Sequence, residues 1–414
     1  MNILVVGGGG REHAIAWKLA QEGAGRIWCA PGNAGTARLA RRVDIKATEI
    51  ERLAEFARQN AIDLTVVGMD DPLMLGVCDL FEQRGLRIFG PRKAAALIEG
   101  SKVFAKNLMS KYNIPTAGYK VLQDPSSARE YLRDAGYPVV LKADGLAAGK
   151  GVLICQDYLE ADKAVRDLME LKKFGGAGAS VVAEEFLTGR EVSVLAFCDG
   201  KTVAPMLSAR DFKRARDGGQ GLNTGGMGCI APCEYYTPEI HEYCVKRIYE
   251  PTAAALNKEG IKFVGVLYFG LMLTASQPYV LEYNARFGDP EAQVVLPMLK
   301  SNLLDIFQAC LDGTLDKVNI EWRDGAAVCV VAASDGYPEA FETGFEIKNI
   351  TPDSETAVTF HAGTTARDGR LVTSGGRVLG VTGLGADLET ARARAYAVVN
   401  KVDFANKYFR SDII

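Results

Sequence analysis

The sequence has no long apolar run, no excess of charge of either sign and no paired cysteines, and each absence excludes something. No apolar stretch approaches the roughly 18 residues that a membrane helix needs. Lysine and arginine number 48 against 51 aspartates and glutamates, so the net charge of −3 leaves no footprint for nucleic acid or an anionic membrane. The nine cysteines are odd in number, scattered and free of any Cys-x-x-Cys pair, which fits reduced thiols in a cytoplasmic protein better than a disulfide framework. Cys229, Cys233, His241 and Cys244 lie close enough together to raise zinc. Cys229 closes a glycine loop, however, and the spacing is wrong for a finger, so these read as small buried residues. The opening MNILVVGGGG carries no basic leader and reads as a buried strand, not a signal peptide. Neither an internal repeat nor a low-complexity tract is visible.

What is present is length, ordinary composition and clustered glycine. A chain of 414 residues implies about three domains at roughly 150 residues each. Apolar residues at 48% and charged residues at 24% are usual for a globular chain. The 44 glycines exceed the ordinary share of about 7% and gather in a few loops. Residues 1–100 alternate β-branched runs (Ile3–Val6, Arg26–Cys29, Leu64–Val67, Leu86–Phe89) with helix-period segments at 11–22, 49–60 and 72–84. That alternation predicts a doubly wound parallel sheet. Ser101 is a candidate N-cap, and Ser127 with Glu130 reads as a capping box. Further on, strands at 138–142, 152–155, 181–187, 191–198 and 202–207, with a hairpin at Asp199-Gly200, predict antiparallel pairing in an α+β unit. A helix of about fifteen residues after Cys155, a long helix over 238–259, strands at 263–274 and 279–284, and a helix near 387–401 complete the pattern. The expected division is 1–100, 101–325 with a lid over about 115–187, and a small α+β domain over 326–414.

Three glycine loops and one strand carry the chemistry. Gly7 to Gly10 follow a strand and open a helix, so backbone N–H groups there can face an anion. A dinucleotide fold is disfavoured, because Glu12 or His13 stands where the third glycine belongs and no acid ends Arg26–Cys29. Lys142-Ala143-Asp144-Gly145-Leu146-Ala147-Ala148-Gly149-Lys150-Gly151 nearly matches a Walker loop, but only three residues separate Gly145 from Gly149 and Gly151 replaces the Ser or Thr. A loop between antiparallel strands, with Lys142 and Lys150 to neutralise phosphate, is the expectation. Residues 217–228 hold six glycines around Asn223 and Thr224, a density that packing does not require. In Tyr279–Asn284 the period of two puts Glu282 and Asn284 on one face about 6.6 Å apart, both with oxygen for magnesium. Arg286 follows at once, a fork suited to a carboxylate or an acyl phosphate.

Taken in order, these pieces resemble the phosphoribosylamine–glycine ligase (glycinamide ribonucleotide synthetase) family of the ATP-grasp superfamily, over essentially the whole chain. The resemblance rests on Gly9-Gly10-Arg11-Glu12-His13-Ala14, Ala30-Pro31-Gly32-Asn33-Ala34-Gly35-Thr36, Glu99-Gly100-Ser101-Lys102, the 142–151 loop and Glu184-Glu185-Phe186-Leu187. It continues in Asn223-Thr224-Gly225-Gly226-Met227-Gly228, Arg286-Phe287-Gly288-Asp289-Pro290-Glu291, Phe360-His361-Ala362-Gly363-Thr364 and Gly375-Gly376-Arg377-Val378. The chain departs from the family pattern at Gly8, at Gly68-Met69-Asp70 and in Arg210-Asp211-Phe212-Lys213-Arg214.

The resemblance implies a Rossmann-like pre-ATP-grasp domain, an ATP-grasp fold and a small C-terminal domain. It also implies the joining of glycine to 5-phosphoribosylamine, with ATP split to ADP and phosphate, through a glycyl phosphate, in purine biosynthesis. Lys102 and Lys142 would then hold the ATP phosphates under Gly149, Lys150 and Gly151. Glu184, Glu185, Phe186 and Leu187 would face adenine and Glu191 the ribose. Glu282 and Asn284 would hold magnesium or manganese. The Gly9, Gly10, Arg11, Glu12 turn would receive the sugar phosphate or ribose, with Asp70, Asp211, Asn223, Thr224, Gly225 and Arg286 toward the substrates. Arg286, Asp289 and Lys142 are the expected catalytic residues. Partners beyond glycine, 5-phosphoribosylamine and ATP are not implied: no nucleic acid, no membrane and no obligate protein. Water exclusion implies closure of the 145–151 and 217–228 loops. Another ATP-grasp ligase or carboxylase, or a nucleotide sensor built on the first glycine turn, are the alternatives that the first-domain motifs weigh against.

Overall fold

In the computed structural model, which describes every residue except 147–150 and 174, the first hundred residues form a five-stranded parallel sheet. Its order is Arg41–Arg42, Arg26–Pro31, Asn2–Gly7, Leu64–Val67, Ile88–Phe89. Ile3 to Val6 are wholly buried, as a strand covered by helices on both faces must be. The chain reverses its winding between Asn2–Gly7 and Leu64–Val67, so the carboxyl ends of these two strands open a crevice where such sheets bind ligands. The helix expected over 72–84 is two, Asp70–Leu75 and Val77–Gln83. They are broken at Gly76, whose φ of 87° is left-handed.

Residues 119–185 build a four-stranded antiparallel sheet in the order Tyr119–Leu122, Val181–Glu185, Val139–Ala143, Val152–Cys155. The capping box at Ser127 is not formed. Asp124 caps the helix Pro125–Arg133 instead, accepting from the Ser126 and Ser127 amides, because Pro125 favours the first helical position and moves the start forward. Ser101 does cap Lys102–Lys111, accepting from Phe104 N. The two long helices after Cys155 and over 238–259 each contain a π turn, at Arg166–Glu170 and Val245–Tyr249.

A larger sheet of nine strands runs through the rest of the chain. The long hairpin strands Arg190–Asp199 and Val203–Asp211 and the pair Val264–Leu273 and Pro278–Asn284 form one part. Gly228–Ala231 then pairs with Ala326–Ser334, so the main strands of the last ninety residues extend this same sheet, and only Thr364–Arg367 and Arg370–Thr373 form a separate hairpin. Among the described residues, no helix is long and apolar enough to cross a membrane.

The edge strand Ala357–His361 of this sheet also docks on the first domain through two buried histidines. His13 Nδ1 accepts from the His361 amide at 2.7 Å, and Asn33 Nδ2 donates to the carbonyls of Gly8, Gly9 and His361. Accepting at Nδ1 requires an unprotonated nitrogen there. Burial, and then the neighbouring His361 and Arg38, hold His13 well below the usual imidazole range, and burial pulls His361 down to about 4. Because these folded values lie below the unfolded one, the unfolded chain takes up protons first as pH falls. Stability is therefore complete above about pH 6.5 and is lost progressively toward pH 4, by ~3 kcal/mol for His361 alone. Urea unfolding between pH 7 and pH 4 should show this slope, and a His361→Phe variant should show a visibly shallower one. Equal slopes would contradict the assignment.

Candidate active site

A cleft of about 1530 Å³ lies between the four-stranded sheet, the larger sheet and the mouth of the first domain. It gathers most of the residues that the sequence singles out. Arg11, Asp70, Lys102, Lys142, Gly151, Glu184 to Leu187, Glu191, Asp211, Asn223 to Gly225, Glu282, Asn284, Arg286 and Asp289 all line it. Gly149 and Lys150 lie outside the described residues. Gly9, Gly10 and Glu12 do not line the cleft. The Glu12 carboxylate accepts from Gly9 N at 2.6 Å and from Arg11 Nε at 2.6 Å. A Cβ on Gly68 would sit 2.3 Å from Glu12 Oε1, so the carboxylate fills the crevice at the switch point. The anion seat expected at this turn is thus already taken by an anion, which corrects that reading for a phosphate. A carboxylate there can still accept from hydroxyl groups.

On the four-stranded sheet, Lys142 Nζ contacts the Glu184 carboxylate at 3.0 Å and donates to the Leu281 carbonyl at 3.0 Å. Lys102 at the first turn of its helix donates to Gly145 O at 3.1 Å. Asp144 accepts from Ser101 Oγ and Val103 N, which fastens the start of the lysine-bearing loop to that helix terminus. The apolar side chains Val140, Ile154, Phe186 and Met272 line the same end of the cleft, and Phe186 and Ile154 are each 40% exposed. An apolar slot beside buried lysines is what a base followed by phosphates requires.

The strand Pro278–Asn284 is bulged at Leu281, and both Glu282 and Asn284 line the cleft. Burial would push the Glu282 carboxyl up, but Lys213, Lys142, Lys102 and Arg286 together hold it below the usual range. Lys213 Nζ lies 3.6 Å from Glu282 and 3.4 Å from Glu191. Oriented so that its amide nitrogen donates to Glu99 Oε1 at 3.1 Å and Tyr283 O at 3.3 Å, Asn284 leaves its oxygen on the opposite side. An ionised carboxylate and an amide oxygen suit a hard cation whose other ligands are phosphates and waters. No group of three or more His, Cys, Asp or Glu able to hold a metal occurs among the described residues, which also removes the Cys229–Cys244 cluster.

Toward the first domain, Arg286 pairs with Glu99 at 2.8 Å and with Asp70 at 3.7 Å. Burial would raise Asp70, yet Arg286 and then Arg11 hold it low. Asp289 accepts from Gln293 Nε2 at 2.7 Å and pairs with Arg377 at 3.4 Å. Arg377 also donates to the carbonyls of Gly225 and Asp289, so an arginine of the last ninety residues staples the glycine loop to the arginine segment. Gly226, at φ 109°, has Asp211 Oδ1 and Pro290 Cδ where a Cβ would stand. Asp211 is half-buried, its buried Oδ1 has no hydrogen-bond partner, and desolvation followed by the neighbouring Glu291 pushes its carboxyl well up. Glu291 itself accepts from Tyr268 and Ser193 hydroxyls.

Sequence reasoning missed Lys106 and Tyr268 as members of this site, and used Glu99, Lys213, Glu291 and Arg377 only as parts of motifs. Lys106 sits on the inner face of an amphipathic helix, where a lysine otherwise reads as a solvated side chain. Its one signal is that the position four residues after Lys102 shares the Lys102 face.

Known proteins compare with this chain as follows. Profiles described as phosphoribosylglycinamide synthetase match most of the chain, the N domain over residues 1–99, the ATP-grasp (A) domain over 100–292 and the C domain over 327–414. The phosphoribosylamine–glycine ligase of Caldanaerobacter subterraneus subsp. tengcongensis is 50% identical over 414 residues, covering 100% of this chain and 99% of that protein. That of Clostridium acetobutylicum is 47% identical, with the same coverage. The crystal structure of the Thermotoga maritima phosphoribosylamine–glycine ligase superposes with a TM-score of 0.89 at 37% identity, covering 100% of both chains. The biotin carboxylase domain of the Hydrogenobacter thermophilus 2-oxoglutarate carboxylase, solved with MgADP, shares the fold at a TM-score of 0.77 and 16% identity, over 99% of this chain and 91% of that one.

The geometry predicts that MgATP raises the melting temperature and NAD does not, since only a bound ligand stabilises. Glu282→Ala should keep the native melting curve without ligand but lose the magnesium-dependent part of the shift. An undiminished shift would remove Glu282 from the metal site.

Proposed function

As the chain belongs to the phosphoribosylglycinamide synthetase family, we propose that it joins glycine to 5-phosphoribosylamine, with ATP split to ADP and phosphate, in purine biosynthesis. The observation that carries this reading is the convergence of Lys102, Lys142, Lys213 and Arg286 on the one strand that bears Glu282 and Asn284. Four cations around two oxygen ligands suit a polyphosphate with its metal, and Arg286 continues the positive field toward the first domain. A free carboxylate is a poor acyl donor because its leaving group would be oxide. Transfer of the γ-phosphoryl group to a glycine carboxylate oxygen makes glycyl phosphate and leaves ADP. The amine then attacks the acyl carbon, the C–N bond forms, and phosphate departs.

The chain's own residues have separable roles in this scheme. Lys102 and Lys142 neutralise phosphate oxygens, and Arg286 holds the acyl phosphate and aligns it. Glu282 and Asn284 would hold magnesium or manganese, which when bound supplies further neutralisation of the phosphate charge. Glu184 to Leu187 and the apolar slot around Phe186 receive the base, and Glu191 the ribose of the nucleotide. At the first domain, Arg11 and Asp70 face the sugar amine, with Glu12 holding Arg11 in place. Asp211, with its unpartnered oxygen and raised carboxyl, faces an amino group whose positive charge restores its ionised form. Asp289, clamped by Arg377, positions the arginine segment, and Asn223, Thr224 and Gly225 close the substrate end. All nine cysteines are free and buried, which supports a reducing, cytoplasmic setting.

The test is ADP release by the purified protein with MgATP, glycine and freshly generated phosphoribosylamine. Turnover should require both glycine and the sugar amine. Turnover with a different amine or carboxylate, and none with these, would retain the nucleotide site and overturn the substrate assignment. Lys142→Ala should lower turnover by about 10²–10³-fold, the usual cost of one preorganised charge donor. A change confined to the KM of the sugar amine would place Lys142 elsewhere.

A further inference from the structure

Glu184 is 2% exposed and carries two ammonium groups, not one. Lys106 Nζ stands 2.8 Å from its Oε2, and Lys142 Nζ donates to the same oxygen at 3.0 Å. Lys106, itself 2% exposed, donates to Thr116 Oγ1 at 2.7 Å, and the Thr116 hydroxyl donates to the Val280 carbonyl at 2.8 Å. Lys142 donates to the next carbonyl along, Leu281. The two lysines are therefore fixed, one through Thr116 and one directly, to adjacent carbonyls of the strand that bears Glu282.

A buried carboxylate paired with a single lysine makes a neutral unit. A phosphate beside such a pair meets a dipole, and the lysine's ammonium is held back by its own partner. With a second lysine on the same carboxylate the unit carries one net positive charge, and the carboxylate's hold is divided between two cations. Burial pulls the Lys106 ammonium down to about 8, against the opposing pull of Glu184, so this extra charge is costly to keep in the site. A costly buried cation on a carboxylate that already holds another lysine calls for an explanation beyond packing.

We infer that Lys106 is a positioning residue for the polyphosphate of the nucleotide: by sharing Glu184 it frees the charge of Lys142 to act on the phosphates. The inference rests on the nucleotide site proposed above, but it concerns charge alone and so separates from base recognition. Removing Lys106 leaves Glu184 paired with Lys142, and no buried charge is stranded, so the fold is retained while the unit becomes neutral. Neutralising Glu184 as well returns the net charge to one.

The experiment measures dissociation constants of the full chain by calorimetry for ATP, tripolyphosphate and adenosine. Lys106→Met should weaken ATP and tripolyphosphate on the order of 10-fold, the loss of one charge-assisted contact, and leave adenosine within about twofold. The double variant Lys106→Met with Glu184→Gln should regain most of the tripolyphosphate affinity, whatever it does to ATP through the base. Lys106→Arg, which keeps the charge, should bind tripolyphosphate close to the wild-type value, and it keeps the test open should the Met variant fail to fold. The inference is overturned if the Met variant binds tripolyphosphate as wild type does, or weakens adenosine equally. A double variant no better than the single, or an Arg variant with a native melting curve that has lost tripolyphosphate, overturns it too. A wild-type chain that binds neither ATP nor tripolyphosphate would instead sink the nucleotide site itself.

Discussion

Everything in this cleft depends on pairing buried cations with carboxylates from distant parts of the chain. Glu99 holds Arg286, Glu184 holds Lys106 and Lys142, Glu282 faces Lys213, and Asp289 holds Arg377. Leaving a charge of the fully buried Glu184 cluster unpaired would cost several kcal/mol, far more than a surface ion pair contributes. The first and last of these pairs also cross a boundary. The first joins the segment before the Ser101 helix to the arginine loop, and the last joins that loop to the final ninety residues. The domains are oriented by the same charges that make the cleft attractive to an anion.

The backbone supports this arrangement by continuity. The large sheet runs from Pro278–Asn284 through the central hairpin to Ala357–His361, so the strand bearing Glu282 and the one leading to His361 are parts of one sheet. At its far edge His361 and His13 lock the edge strand to the first domain in a site that tolerates only neutral imidazoles. Burial of apolar surface provides most of the stability of such a chain. The buried polar contacts decide which surfaces meet. Glu12 is the clearest case, since its carboxylate occupies the position that a dinucleotide phosphate would need.

Much of this was legible beforehand, for definite reasons. Buried parallel strands need unbroken β-branched runs, so Ile3–Val6 and Leu64–Val67 stood out. Glu282 and Asn284 were readable as a pair because side chains two apart on a strand share a face, and the bulge at Leu281 falls before them and does not separate them. The break at Gly76 and the cap at Asp124 were not legible with the same ease. A helical period continues through a single glycine, and Ser127 imitates a cap that Pro125 sets three residues earlier. Lys106 and Lys213 stayed hidden because a lysine is ordinarily solvated, and only knowledge of its partner shows otherwise.

The sequence by itself determined the local elements, the glycine loops and the chemical types of the ligands, because these follow from periodicity and from what each side chain can donate or accept within a few residues. Only the tertiary structure decided that Glu184 serves two lysines, that Glu12 fills the first-domain crevice and that Arg377 closes the far side. Those are meetings between residues tens to hundreds of positions apart, and no spacing along the chain encodes them. They arise when sheets and helices pack, because a buried charge must find its partner wherever packing brings one.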